Sequence, residues 1–256
     1  MKKTLTLLLT SLNFLAYSQI KNVKNVKWLS TNLGGISFYK DQLNWRGDNF
    51  DVLKRYYISN DTLVMFDRYT WNRDTTWHTD LFKFKMVIKG DKSLTIIPLD
   101  QKAKELAQGK MNQFTNIKYI YDESIKFSRI HLNAGLCYGT CPELSIDIDD
   151  TGTYYLKGGE YAEPYKGYFK GRLSVKQLDT LNYYIKHSAI EQMQTWTQKL
   201  TVMDTPPYSL ILYYNGKKLS VSTNWPPNVI EDLLKYLMST YRKVNLIPDP
   251  DKHEFN

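Results

Sequence analysis

The chain has 256 residues, of which 42% are hydrophobic, and its formal net charge is +8. That hydrophobic content excludes a chain too polar to form packed cores. The positive charge is spread along the sequence, in stretches such as KGYFKGR at 166–172. A dispersed charge of this kind favours a basic surface that meets anionic envelope polymers over a nucleic-acid reading surface, so we expect no nucleic-acid partner.

The first 18 residues have the organisation of a secretory signal peptide. Two lysines precede an apolar run over residues 5–15, and Ala16–Ser18 has the small-x-small form of a cleavage site. The run is shorter than the roughly 20 apolar residues of a membrane-spanning helix. We therefore expect an exported protein, periplasmic or extracellular, whose mature chain begins at Gln19 and has no transmembrane segment.

Residues 19–110 are predicted to form an antiparallel β meander. Apolar residues alternate with mostly lysine residues from Phe82 to Lys89, as in a sheet with one buried and one wet face. Asn60–Asp61 and Gly90–Asp91 are turn signals between strand-like runs. This half has a weak resemblance to a lipocalin-like half-barrel, although the usual G-x-W opening is missing. A small apolar ligand in it would require a closed barrel with an empty interior.

Residues 111–247 are predicted to form an α+β domain in which a hairpin-then-helix plan occurs twice. The first hairpin turns at 150–152, and its helix begins at a Ser174–Gln177 capping box. The second hairpin turns at Asn215–Gly216, and two prolines open its helix. Two amphipathic helices on one face of an antiparallel sheet would bury the apolar stripes of both layers. The predicted fold class is therefore α+β, a meander followed by a sheet that two helices cover.

Two further segments mark the limits of this second half. A short helix over 100–109, capped by Asp100, precedes a polar stretch that places the boundary near residue 110. Residues 248–256, PDPDKHEFN, are predicted to be a disordered tail.

Both cysteines of the chain, Cys137 and Cys141, lie in the stretch CYGTCP. In an oxidising compartment two such neighbours are expected to form a disulfide. Gly139 allows a tight turn between them, and Pro142 stiffens the exit into a strand. A bridge over so short a loop stabilises by about 2 kcal/mol, so it would shape a loop more than hold the fold together.

Other roles for this loop stay open from the sequence. A thiol–disulfide redox centre usually has C-x-x-C spacing at a helix N-terminus, whereas here the spacing is C-x-x-x-C and Cys141 leads into a predicted strand. A zinc site would need further ligands, of which His131 is near in sequence. Residues 147–152 approach a calcium-loop pattern but have Thr151 and Gly158 at the fifth and twelfth positions. We expect no metal and no cofactor.

At the cysteine loop the chain resembles a family of secreted and lipid-anchored bacterial proteins catalogued as a domain of unknown function. The family's mark is a C-[FY]-G-x-C-P loop that leads into a strand-turn-strand. The residues that carry the resemblance are Cys137, Tyr138, Gly139, Cys141, Pro142, Ser145, Ile148, Gly152, Tyr155, Gly171–Ser174, Asp204–Pro206 and Asn215–Gly216. The resemblance covers residues from about 120 to 245. It implies an envelope location and assigns no catalytic residues.

The function that these features favour is a non-enzymatic secreted module that binds another molecule and carries a structural disulfide. The sequence has no G-x-S-x-G, H-E-x-x-H or phosphate-binding glycine motif, which makes an enzymatic function less expected. The alternative is a thiol–disulfide redox or small hydrolytic enzyme centred on Cys137 and Cys141. The partner expected is an envelope glycan, peptide or protein. The candidate binding residues are Tyr138, Tyr155, Tyr161 and Tyr165. The last three belong to an aromatic hairpin surface that also includes Tyr154 and Tyr168.

Overall fold

The computed structural model describes residues 23–47, 50–71, 75–198 and 202–255. The predicted signal peptide, residues 1–18, lies outside the described residues. The chain divides into two compact units, Met1–Tyr119 and Ile120–Asn256. Within the ranges that the structure describes, no helix combines the length and the hydropathy needed to cross a bilayer.

The first unit is a closed barrel of eight antiparallel strands. The strands are β1 (Lys27–Ser30), β2 (Gly35–Tyr39), β3 (Gln42–Arg46), β4 (Asp51–Ser59), β5 (Thr62–Tyr69), β6 (His78–Lys89), β7 (Ser93–Pro98) and β8 (Asn112–Asn116). Each strand pairs with the next along the chain, and β8 returns to pair with β1. The sheet therefore closes on itself.

The prediction of an open meander over 19–110 was wrong. Asn112–Asn116, which we placed beyond the boundary, forms β8, and its residue Asn116 pairs with Trp28 of β1. Because β8 completes the barrel, the division between the units falls at Tyr119 and not near residue 110. A short 3₁₀ turn, Ile117–Tyr119, ends the first unit.

Aromatic side chains fill the interior of the barrel. Trp28, Phe38, Trp45 and Phe84 are each at most 1% exposed. The ring of Trp45 stands edge-on to those of Phe84 and Phe114, with centroids 5.4 and 6.1 Å apart. Eight strands enclose a space just wide enough for side chains. The barrel is thus closed, as a small-ligand carrier would require, but these side chains take up its interior.

Helix α1 (Gln101–Leu106) lies between β7 and β8 in the chain and contacts β6 and β7. Its predicted N-cap is confirmed, because the Asp100 side chain accepts a hydrogen bond of 2.8 Å from the Ala103 N–H. Ala103 and Ala107 are buried in the barrel core. Gly109 follows the helix with a φ of 70°, a conformation that favours glycine.

The second unit contains one seven-stranded antiparallel sheet in the order β14-β13-β9-β10-β11-β12-β15. Its strands are β9 (Phe127–Ala134), β10 (Leu144–Asp149), β11 (Thr153–Gly158), β12 (Gly167–Arg172), β13 (Tyr208–Tyr214), β14 (Lys217–Thr223) and β15 (Ile247–Pro248). Its helices are α2 (Val175–Lys186), α3 (Ile190–Met193) and α4 (Asn228–Thr240). Strand β9 pairs with both β13 and β10, so the two predicted hairpins share a single sheet.

Several local predictions for this unit are confirmed. The Ser174–Gln177 capping box is present at the start of α2. The predicted apolar stripe of α4 is buried, namely Ile230, Leu233, Leu234, Leu237 and Tyr241. The prediction of a sheet with a repeated hairpin–helix plan and two covering helices was incomplete. The structure has a seven-stranded sheet in which the strand β15 is added at one edge, and a third, short helix, α3. Helices α2 and α4 contact each other, and the Tyr236 hydroxyl donates a 2.6 Å hydrogen bond to the Gln177 carbonyl.

Alternate residues of the sheet divide it into an apolar face and a polar face. The buried apolar face includes Ile130, Leu132, Ile146, Ile148, Tyr154, Leu156, Leu210 and Leu212. The other face carries Arg129, His131, Asn133, Ser145, Asp147, Tyr155 and Lys170. This alternation is typical of an antiparallel sheet with one side on a core.

The segment 249–255 differs from the disordered tail that we predicted. It lies along the polar face of the sheet, where the Asp249 N–H donates a 2.9 Å hydrogen bond to the Tyr168 carbonyl. Further on, the His253 ring stacks on Tyr155 with centroids 3.8 Å apart and planes within 8°. The proline and charged residues of this stretch suggested disorder, but two aromatic side chains, His253 and Phe255, attach it to the sheet.

Candidate functional site

Three loops meet at one end of the second-unit sheet, and we call the surface that they form the loop end. The loops are residues 135–143, 159–166 and 202–207. The Gly135 N–H donates to the Pro207 carbonyl, and the Glu143 N–H donates to the Glu160 carbonyl, each at 2.9 Å. The cysteine loop therefore lies between the other two and is hydrogen-bonded to both.

The predicted disulfide is confirmed. Cys137 and Cys141 are bonded, with their Cα atoms 5.5 Å apart. Gly139 lies inside the ring that the bridge closes, and its N–H donates a 2.8 Å hydrogen bond to the Cys137 carbonyl. As predicted, Cys141 leads through Pro142 into strand β10 and not into a helix.

The loop end exposes large apolar side chains from all three loops. Leu136 is 43% exposed and Tyr138 is 91% exposed in the cysteine loop. Tyr161 is 44% exposed in the second loop, and Met203 is 86% exposed in the third. Apolar groups gathered in this way mark surfaces that contact other molecules more often than isolated exposed residues do.

Close backbone packing fixes the second loop of this surface. A Cβ atom on Gly158 would lie 1.7 Å from the Tyr165 carbonyl oxygen, so only glycine fits at that position. The Gly159 N–H donates a 2.9 Å hydrogen bond to the Glu143 carbonyl. Tyr161 is thus presented on a loop whose backbone has little freedom.

The structure places two of the four candidate binding tyrosines, Tyr138 and Tyr161, on the loop end. Tyr165 belongs to the same loop as Tyr161, but its ring packs edge-on against Phe169 and Tyr241, with centroids 5.3 and 6.2 Å away. Its ring therefore contributes to packing.

Tyr155 and Tyr154 lie on opposite faces of β11. Tyr155 is on the polar face, half-buried beneath His253. Tyr154 is fully buried, and this burial raises the pKa of its hydroxyl well above the usual value. Our inclusion of Tyr154 in an aromatic surface was wrong, because neighbouring residues of a strand point to opposite faces of the sheet.

Sequence reasoning missed a group of polar side chains on the polar face of the sheet, and we call it the histidine cluster. Its members are Arg129, His131, Asp147, Tyr155 and His253. Asp147 of β10 pairs in register with His131 on one side and with Tyr155 on the other. The alternation within β9 and β10 indicated that these residues face one way, but the register that aligns them is a property of the folded sheet.

Asp147 is the charged centre of the histidine cluster, with a side chain that is 4% exposed. The Arg129 Nε donates to Oδ1 at 2.8 Å, and Arg129 Nη2 donates to Oδ2. The His253 Nε2 lies 2.8 Å from the same Oδ2. Burial alone would raise the pKa of Asp147, but the hydrogen bonds from Arg129 and His253 together outweigh it and lower that pKa. Asp147 is therefore ionised at neutral pH.

His131 lies beside Asp147 and is only 1% exposed. Its Nε2 is 2.8 Å from the Asn133 amide nitrogen, while its Nδ1 has no hydrogen-bond partner among the described atoms. Burial lowers the pKa of His131, so the ring is neutral at pH 7. Across the described ranges there is no group of three His, Cys, Asp or Glu side chains arranged to hold a metal ion.

The second unit is expected to lose stability on acidification in two steps. The unfolded His131 has a pKa near 6.5, above its folded value, so the unfolded state takes up more protons below that pH and the free energy of unfolding falls. Asp147 contributes stability above its ordinary pKa of 3.8, and this contribution is lost as pH falls through its lower folded pKa. Urea unfolding between pH 7.5 and 3, monitored by hydrogen exchange in β9–β11, measures both losses of stability.

The variant H131Q is expected to remove the upper step and leave the lower one. The matched control is H78Q in the first unit, which should leave both steps in β9–β11 unchanged. An upper step of undiminished size in H131Q would contradict the assignment to His131.

Residues 128–243 match the family model described as Domain of unknown function (DUF6438). The match confirms a domain of unknown function at about the predicted limits, 120–245, while the C-[FY]-G-x-C-P loop as the family's mark stays a prediction. The match includes the cysteine loop and ends before the segment 249–255. Comparisons with curated proteins and with solved structures returned no match.

Proposed function

We propose that the chain carrying this domain is an exported, non-enzymatic interaction module of the bacterial envelope, and that the loop end is its contact surface. The observation that carries the proposal is the position of Tyr138, whose side chain is 91% exposed on a loop that a disulfide closes. Tyrosine is among the residue types enriched where proteins contact partners, because its ring buries a large area at a small cost in rotamer freedom.

The rigidity of the loop end supports this role. Ordering a mobile loop on binding costs free energy, and a loop that is already fixed avoids much of that cost. The disulfide restrains Tyr138, and the close approach of Gly158 to the Tyr165 carbonyl restrains the loop of Tyr161. The backbone that carries both exposed rings is thus restrained before a partner arrives.

The expected partner is an envelope glycan, peptide or protein. Exposed aromatic rings stack on the flat faces of sugars and on apolar peptide side chains. Glu160, which precedes Tyr161 in the chain, supplies an exposed carboxylate, which can accept hydrogen bonds from hydroxyl or amide groups. The predicted signal peptide and a disulfide, which persists in oxidising compartments, support export.

Mass spectrometry of the mature protein should find Gln19 as its first residue.

Binding to glycan and peptide arrays tests the contact surface. The mature protein is expected to bind at least one envelope-derived ligand, and Y138S is expected to weaken that binding about tenfold or more. The matched control is Y183S on helix α2, since Tyr183 is 53% exposed and lies outside the loop end. Absence of any array ligand, or a ligand that binds Y138S and wild type equally well, would count against the proposal.

Replacing both cysteines by serine is expected to lower the free energy of unfolding by about 2 kcal/mol, because the bridge closes a short loop. Denaturant unfolding measures this loss. The alternative function, a redox or small hydrolytic enzyme at Cys137 and Cys141, makes a different prediction. Wild-type protein would then accelerate thiol-dependent reduction of a disulfide substrate or hydrolysis of an ester, and the double variant would not.

A further inference from the structure

We propose that the sheet residues of the histidine cluster, Arg129, His131, Asp147 and Tyr155, form a second binding site, which accepts a histidine-bearing peptide segment of another protein. In this structure residues 249–255 of the chain itself occupy the site as a resident ligand. The proposal concerns the polar face of the sheet and does not depend on the loop end.

The contacts of His253 define what the site recognises. Tyr155 offers a flat ring on which the imidazole stacks at 3.8 Å, and Asp147 offers a carboxylate oxygen 2.8 Å from Nε2. Together they select a flat ring that carries an N–H donor. Two residues later Phe255 lies 5.9 Å from the His131 ring and 5.0 Å from the His253 ring. The recognised sequence is therefore His-x-Phe.

The edge of the sheet supplies the backbone part of the recognition. The Asp249 N–H of the resident segment donates a 2.9 Å hydrogen bond to the Tyr168 carbonyl of β12, directly after the two-residue strand β15 that pairs with β12. Lys170 also pairs with Asp249 at 3.1 Å. Adding an extended peptide to a sheet edge is a common mode of peptide recognition, in which the backbone gives affinity and the side chains give specificity.

The site belongs to the matched domain, whereas its occupant does not. Arg129, His131, Asp147 and Tyr155 all lie within residues 128–243, and the resident segment lies beyond them. The four residues of the receptor face thus lie within the matched range, and the segment that covers them follows that range in the same compact unit. This arrangement suits a receptor that can exchange one peptide segment for another.

One buried atom shows that the resident segment does not use the whole site. The Nδ1 atom of His131 is buried and has no hydrogen-bond partner among the described residues. A buried polar atom without a partner is less favourable than one that is hydrogen-bonded. A peptide with a polar group opposite Nδ1 would supply that hydrogen bond and bind more tightly than the resident segment.

A binding experiment in the full chain tests the site. The variant H253A/F255A removes the two resident rings, and the probe is a fluorescent synthetic peptide with the sequence DPDKHEF of residues 249–255. We expect this variant to bind the probe and the wild type to bind it about tenfold more weakly or worse, because the attached segment competes at an effective concentration near millimolar. A probe with alanine in place of its histidine should also bind about tenfold more weakly.

Further variants in the H253A/F255A background separate the possible outcomes. Adding D147N should reduce binding of the probe about tenfold, whereas adding Y138S should leave it unchanged, so that failure here and failure of the loop-end proposal can be told apart. A folded H253A/F255A protein that does not bind the probe, or that binds both probes equally, would overturn the proposal.

A measurement on the wild-type chain covers the case in which H253A/F255A does not fold. Excess probe should displace the resident segment and speed hydrogen exchange at the Asp249 amide, which donates to the Tyr168 carbonyl of β12 at 2.9 Å. An unchanged exchange rate at millimolar probe would overturn the proposal as well.

Discussion

Replacing Trp45 by alanine is expected to lower the free energy of unfolding of the barrel unit by about 4 kcal/mol. Trp45 is 1% exposed and stands edge-on to three aromatic rings, those of Phe50, Phe84 and Phe114. Truncating a buried aromatic residue typically costs about 3–5 kcal/mol, since the transfer energy is lost and a cavity stays behind. The aromatic contacts that disappear add to this loss.

The matched control is W77A in the same unit. Trp77 is 62% exposed, and its ring contacts the Arg68 guanidinium at 5.1 Å. Its removal should change the free energy of unfolding by about 0.5 kcal/mol or less. Urea unfolding followed by far-UV circular dichroism avoids the loss of tryptophan fluorescence that both changes cause. Equal destabilisation by the two changes would contradict a barrel packed around Trp45.

Replacing Arg129 by methionine is expected to lower the free energy of unfolding of the second unit by about 3 kcal/mol. Arg129 donates to both carboxylate oxygens of Asp147, whose side chain is 4% exposed. Without Arg129 that buried charge keeps only the contact with His253, and breaking one side of a buried pair costs about 3–5 kcal/mol. The estimate lies at the low end because the Arg129 side chain is 39% exposed.

The control for Arg129 is K217M, which breaks an ion pair on the surface of the same unit. Lys217 lies 3.0 Å from Glu191, and both side chains are at least half exposed. Exposed pairs contribute about 0–1 kcal/mol, so this variant should be close to wild type. Hydrogen exchange in β9 and β10 under mild denaturant measures the stability of the second unit in both variants. If R129M were as stable as K217M, the prediction would be contradicted, because Arg129 would not be needed to stabilise the buried Asp147 carboxylate.

Several strands of the barrel could be predicted from the sequence, whereas the strand β8 and the closure of the barrel could not. Turn signals at Asn60–Asp61 and Gly90–Asp91 and the alternation along β6 lie within short stretches of sequence, so they can be recognised locally. Closure depends on pairing Trp28 with Asn116, which are far apart in the chain. No local pattern encodes that contact, and the first prediction therefore stopped at an open sheet.

The loop end and the histidine cluster also differ in how far local sequence could predict them. The disulfide joins neighbouring residues of one loop, and the sequence predicted it; Tyr138 of the same loop was a candidate binding residue. The histidine cluster needs the register of three strands and a segment that returns to cover them. Alternation in β10 placed Asp147 on the wet face, yet Asp147 is 3% exposed because the segment 249–255 lies over it.

Photocrosslinking from position 138 tests most directly whether the loop end is a contact surface. A photoreactive phenylalanine analogue would replace Tyr138 in cells that produce the protein, and a second strain would carry it in place of Tyr183, which is also exposed. We expect a discrete crosslinked species from position 138 and none from position 183. No crosslink from position 138, or the same species from both positions, would contradict a partner at the loop end.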